Sequence, residues 1–142
     1  MSNEVKVGVA FVGAGLVAHM HARAVAACDG AELIGAYDPI PSHAEAITQQ
    51  YGGQAFQTLD QLLADPAIHA VHVLTPPAAH VETALAALRA GKHALIEKPV
   101  ADTVGELEQL KQTAHEQGRV CMPAHNYIYV PSLRRAKRLI EI

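Results

Sequence analysis

The chain has 142 residues, 11 of them basic and 14 acidic, for a formal charge of −3 with neutral histidines; half are hydrophobic and 18% are charged. That length can build one domain with a core of its own. A mildly acidic chain without a basic block excludes a surface made for nucleic acid or anionic membrane. No apolar run has the length of a membrane span. Cys28 and Cys121 have neither metal-ligand spacing nor partners for a disulfide framework, so a reducing cytoplasm is the expected compartment.

In chain order, residues 5–12 form a short, β-branched apolar run of the kind that makes a buried parallel strand. It leads into Gly13-x-Gly15-x-x-Ala18, followed by helix formers. Lys6 before the uncharged residues 7–18 has the outline of a signal peptide, but Gly8, Gly13 and Gly15 interrupt the run and Glu4 stands in its would-be basic part. Residues 16–28 predict an Ala-rich helix closed by Asp29-Gly30, and residues 32–37 a second strand ending at Asp38-Pro39. Ser42 is placed as the cap of a helix reaching Tyr51, with Glu45 at the capping-box position. A short strand at 55–56 and a helical turn over 59–63 come next. Residues 70–74 make a fourth strand that breaks at Thr75-Pro76-Pro77.

The pattern repeats in the second half. A helix over 79–90 ends at Gly91, and a strand at 94–96 runs straight into Glu97-Lys98-Pro99. Asp102 or Thr103 caps a helix over 104–117, and a sixth strand at 120–124 ends at His125-Asn126. Residues 131–142 predict a helix with Leu133, Ala136, Leu139 and Ile140 on one face.

Strands alternating with helices across short turns imply an α/β fold, a Rossmann-type doubly wound parallel sheet in three layers. Such sheets bind ligands beyond the carboxyl ends of their strands. Those ends carry Gly13 and Gly15, Asp38, Thr75, Glu97 and Lys98, and His125 and Asn126. The first glycine allows a tight turn, the second lets a pyrophosphate approach bare backbone, and Ala18 lets helix and strand pack closely. The first helical amides, at Leu16 and Val17, then face the phosphates with the positive end of the helix dipole. Asp38 follows the second strand at the spacing of a ribose-binding acid. Its carboxylate repels a 2′-phosphate, and residues 39–43 contain no Arg or Lys. NAD is therefore the expected cofactor, ahead of NADP.

From Thr75 onward the sequence resembles the glucose–fructose oxidoreductase/inositol dehydrogenase (Gfo/Idh/MocA) family. The matching residues are Thr75-Pro76-Pro77-Ala78-Ala79-His80, Ala84-Leu85, Ala90-Gly91-Lys92-His93 and Glu97-Lys98-Pro99. They join Gly13-Ala14-Gly15 and His21 on the first helix. The resemblance implies a dinucleotide-dependent oxidoreductase acting on a sugar, polyol or related hydroxylated substrate. It implies that Thr75, Pro76, His80, Glu97 and Lys98 belong to the cofactor site, with His80 in a structural hydrogen-bonding role at a helix start, and that Lys98 also stands beside the reacting carbon as the catalytic residue. A lysine there can donate or accept a hydrogen bond at the substrate oxygen. The Lys98–Pro99 bond is a candidate for the cis form. His125 and Asn126 are candidate substrate contacts.

The family also carries a second, α+β domain, often with an Asp-x-x-x-His motif whose histidine is an acid/base. That domain is read as absent here, and the motif with it. Residues 1–125 are thus assigned to the NAD(P)-binding domain, and residues 126–142 to the connection toward a substrate domain. The chain alone is expected to bind nucleotide with little or no turnover, and to form a homo-oligomer. A non-catalytic nucleotide-sensing module of the same fold is the alternative. His19/His21 and His69/His72 suggest a metal, but His19 and His21 do not share a helix face and no Cys, Asp or Glu stands beside either pair at ligand spacing. No metal site is assigned.

Overall fold

The computed structural model describes residues 6–141; the expected start of the first strand at Val5 lies outside them. Six strands form one parallel sheet in the order β3-β2-β1-β4-β5-β6. They are β1 (Val7–Val12), β2 (Ala31–Tyr37), β3 (Gln54–Ala55), β4 (Ala70–Val73), β5 (His93–Ile96) and β6 (Cys121–Pro123). The chain winds outward from β1 to β3, returns beside β1, and winds outward again to β6. The reversal between β1 and β4 opens a crevice at the carboxyl ends of the strands.

Two cores sandwich the sheet. On one face, α1 (Leu16–Ala26) and α2 (Pro41–Tyr51) cover Val9, Phe11 and Ala36. Ala18 and Ala22 are the buried positions of α1, small enough to bring the helix close to β1. On the other face, α3 (Leu59–Ala64), α4 (His80–Arg89) and α5 (Val104–Glu116) cover Ala10, Val12, Val71, Val73 and Ile96. β1 is buried on both faces, which is why its sequence is a continuous apolar run and not an alternating one. Each fully buried large side chain, such as Phe11 or Ile47, contributes about 1.5–3 kcal/mol relative to exposure.

The expected elements all form, with ends moved by one or two residues. The capping of α5 is as expected: Thr103 Oγ1 accepts the Glu106 amide at 3.2 Å, and Glu106 Oε2 accepts the Thr103 amide at 2.9 Å. The Thr103 hydroxyl, which donates to Glu106 Oε2 at 3.0 Å, and then the Thr103 amide hold the Glu106 carboxyl below its ordinary pKa. The start of α2 is not as expected. Ile40 is its N-cap and Pro41 its first residue, so Ser42 lies inside the first turn and caps nothing. Proline's fixed φ is already helical, and Asp38 Oδ1 accepts the Ile40 amide at 2.9 Å, so no hydroxyl cap is needed. A short turn, Asn126–Tyr129, follows β6 and leads to α6 (Pro131–Ile140), every residue of which is exposed.

Candidate functional site

The first strand-end loop is held by its backbone. Gly13 has φ +92°, and its amide donates to the Tyr37 carbonyl at 2.9 Å. A Cβ at Gly13 would lie 2.6 Å from the Leu74 carbonyl carbon and oxygen. The Ala14 amide donates to Asp38 Oδ2 at 2.8 Å, which ties the glycine loop to the end of β2. His43 Nδ1 lies 3.4 Å from Asp38 Oδ1. The Asp38 carboxylate is thus largely sheltered and rigidly placed.

Gly15 caps α1 with no side-chain hydrogen bond. A Cβ at Gly15 would meet nothing within 4 Å. Open space therefore stands directly before the helix's first amides, beside exposed Leu16 and Val17. This is the cradle a pyrophosphate needs: backbone N–H groups, a positive dipole end and no side chain in the way. Further along the crevice, Thr75 Oγ1 is buried without a hydrogen-bond partner among the described residues. A buried hydroxyl left unpaired is costly, and a ligand lying along the strand ends would supply its partner. The residues present fit a dinucleotide.

His80 is built into the structural hydrogen bonding expected at the helix start. It is only 1% exposed, with Nδ1 2.7 Å from the Pro99 carbonyl oxygen and Nε2 2.8 Å from that of Thr75. Both ring nitrogens are taken, so the ring has none to offer a cofactor. It fastens the loop after β4 to the loop after β5.

The β5 loop carries Glu97 and Lys98, and the Lys98–Pro99 peptide is cis. Glu97 Oε2 accepts the Lys98 amide at 3.1 Å and lies 3.8 Å from Nζ. The lysine side chain is 53% exposed. Together with His125, Asn126, Met20 and Tyr129, these residues line a cleft of about 430 Å³. His21 and His72 sit at its wall and were missed as a unit by sequence reasoning, which weighed His21 as a motif residue and both only in separate pairs as metal ligands. His21 Nδ1 is 3.0 Å from His72 Nδ1, and His21 Nε2 is 3.2 Å from Glu97 Oε1. His72 stacks on Phe11 at 5.3 Å between ring centroids. Burial, and secondarily His21, push the His72 pKa down to about 3. The available signal was strand alternation: Val71 and Val73 fill one core, so His72 must face the α1 side.

Two motif residues lie elsewhere. Lys92 is buried, and its Nζ donates to the Asp65 carbonyl at 2.8 Å near the amino-terminal edge of the sheet. Asp65 and His69 do have the Asp-x-x-x-His spacing, contrary to the expectation that the chain lacks it. They stand at the same far edge: His69 Nδ1 accepts the Gly8 amide at 2.8 Å and Asp65 Oδ1 accepts the Ala67 amide at 2.8 Å. The pair closes a turn and has no access to the cleft.

The family model described as "Oxidoreductase family, NAD-binding Rossmann fold" matches residues 7–125. Glucose-6-phosphate 3-dehydrogenase of Bacillus subtilis is 36% identical over 135 residues, covering 95% of this chain and 37% of that protein. The structure of GenD2 from gentamicin A biosynthesis in complex with NAD superposes with a TM-score of 0.92 at 33% identity, covering 97% of this chain and 40% of that one. KijD10, a 3-ketoreductase from Actinomadura kijaniata in complex with NADP, gives a TM-score of 0.91 at 27% identity, covering 96% and 44%. The chain spans about two fifths of the length of these relatives. With its glycine loop, Asp38 and Glu97-Lys98-Pro99 on one edge of a six-stranded parallel sheet, the chain belongs to the Gfo/Idh/MocA oxidoreductase family and forms its NAD-binding Rossmann fold.

Proposed function

We propose that this chain is the nucleotide-binding part of an oxidoreductase that exchanges hydride between NAD and a sugar, polyol or related hydroxylated substrate. The observation that carries the reading is the single line of groups along the strand ends, from the open cradle at Gly15 to the exposed amine of Lys98. In this reading Gly13 shapes the loop, and Gly15, Leu16 and Val17 present amides to the pyrophosphate. Asp38 accepts from the adenosine ribose hydroxyls and disfavours a 2′-phosphate, so NAD is preferred over NADP. Thr75 and Pro76 flank the nucleotide, with His80 holding their loop. Bound nicotinamide supplies the hydride acceptor or donor. Lys98 holds the substrate oxygen and exchanges its proton, while His125 and Asn126 face the substrate.

Residues 1–125 make up the nucleotide domain, and residues 126–142 begin a connection toward a substrate domain. The fraction of each relative that the chain spans supports this division. Two of the named relatives are by their descriptions a 3-dehydrogenase and a 3-ketoreductase, which favours a sugar ring carbon as the reacting centre. A cytoplasmic homo-oligomer, without nucleic-acid or membrane partners, fits the charge of −3. Among the described residues no helix is long and apolar enough to cross a membrane.

Titration calorimetry with NAD(H) and NADP(H) tests the reading. The chain is expected to bind NAD(H) more tightly than NADP(H). Asp38→Ala is expected to weaken NAD(H) by about tenfold, or about 1.4 kcal/mol, and to narrow the gap to NADP(H). A folded chain that binds neither nucleotide would refute it.

A further inference from the structure

The wall of the cleft contains a three-residue relay of hydrogen bonds ending at Glu97. It begins on β4 with His72, crosses to His21 on α1 at 3.0 Å, and reaches Glu97 Oε1 at 3.2 Å. From there Glu97 Oε2 takes the Lys98 amide at 3.1 Å and faces Nζ at 3.8 Å. With the His21 ring neutral, donor counting fixes the direction. A carboxylate only accepts, so His21 Nε2 must carry the hydrogen. In the neutral ring Nδ1 is then bare, and the hydrogen between the two rings must come from His72 Nδ1. Burial favours the neutral form of His72 that supplies it, and the Phe11 ring beneath fixes its plane.

We propose that His72 and His21 are positioning residues that orient Glu97, and through it the Lys98 loop, by a fixed pair of histidine tautomers. Neither ring needs to touch substrate. Without His72, His21 is free to flip or change tautomer, Glu97 loses a fixed donor, and the carboxylate that holds the Lys98 amide is released. The consequence for hydride exchange rests on the oxidoreductase reading above; the tautomers and the Lys98 loop do not.

The test is a nuclear magnetic resonance measurement of the imidazole and backbone amide nitrogens of the isotope-labelled chain at neutral pH, with NADH affinity measured on the same samples. Wild type is expected to show His72 as the Nδ1–H tautomer and His21 as the Nε2–H tautomer. His72→Leu removes the donor and is expected to leave His21 in mixed tautomers and to shift the Lys98 amide signal. His72→Asn puts an amide N–H near the place of Nδ1 and is expected to restore both signals. If His72→Leu does not fold, Glu97→Gln, which loses the obligate acceptor, must still disturb the His21 tautomer and the Lys98 amide. An Nε2–H tautomer at His72 in wild type, or a Lys98 amide indifferent to His72→Leu and Glu97→Gln, overturns the proposal. If the tautomers are as assigned but NADH does not bind, the positioning relay stands and the cofactor reading fails. If NADH binds and His72 is the other tautomer, the relay alone fails.

Discussion

The β1–β2 end of the crevice is held together by main chain, and the β4–β5 end by side chains. At the first, Gly13 bonds to Tyr37 and Ala14 to Asp38, and the only polar side chain needed is one carboxylate. At the second, His80 ties two loops by their carbonyls, while His72, His21 and Glu97 stand in line behind an exposed Lys98. Backbone-held geometry tolerates no change of shape, because the close neighbours of Gly13 are themselves backbone. Side-chain-held geometry can be altered one group at a time, and responds to protonation. On the proposed function, the binding of a nucleotide and the handling of a proton fall to regions of different physical character.

Acid should separate the two regions most strongly. The folded-state pKa of His72, about 3, lies below its ordinary 6.5. Between those values the unfolded chain binds more protons than the folded one, so stability rises with pH across the window. The contribution is fully present above pH 6.5 and is lost as pH falls toward 3, by about 5 kcal/mol in total. Denaturant unfolding of wild type and His72→Leu across that range should show the wild type losing about that much more than the variant. Equal slopes would mean that His72 titrates normally and is not buried as a neutral ring.

Gly13→Ala and Gly15→Ala then break the backbone-held region in two distinct ways. At Gly13, φ is +92° and the added Cβ would sit 2.6 Å from the Leu74 backbone, so about 3 kcal/mol of stability is expected to go. At Gly15, φ is −76° and nothing lies within 4 Å, so the folded state should keep its stability to within about 0.5 kcal/mol. The Gly15 methyl would instead occupy ligand space and reduce NAD affinity by about tenfold or more. Thermal unfolding with and without NAD distinguishes the two, and a destabilised Gly15→Ala would show that the open cradle is misread.

The sequence exposed the backbone-held region more fully than the side-chain-held one, for a physical reason. Gly13, Gly15, Ala18 and Asp38 act through local chain geometry and fixed spacing, which a sequence carries directly. Glu97-Lys98-Pro99 was likewise legible from its position at a strand end. His21, His72 and Glu97 are 51 and 76 residues apart along the chain in their pairings, and meet only because β4 lies between β1 and β5 with α1 above. His80 was legible in its structural role and Lys92 as a motif residue only, while packing alone shows that both are buried against carbonyl oxygens. Asp65 and His69 show the converse: spacing alone would have put a catalytic pair at the wrong edge of the sheet.

Lys98→Ala should have little effect on the fold or on nucleotide binding and so gives the cleanest separation of binding from chemistry. Its side chain is 53% exposed, and its one ion-pair partner, Glu97, lies at 3.8 Å. Exposed pairs of that kind contribute between zero and about 1 kcal/mol, and the Lys98 amide that Glu97 holds is retained in the variant. Unfolding free energy should therefore change by less than about 1 kcal/mol and NAD affinity by less than about threefold. The cost falls on turnover: loss of the group that exchanges the substrate proton lowers the rate by about 10²-fold or more, read as NADH formation with a sugar alcohol in the enzyme that contains this domain. A Lys98→Ala variant that loses nucleotide binding would place the amine in the cofactor site and return proton handling to another residue, with His125, which lines the same cleft, the next candidate.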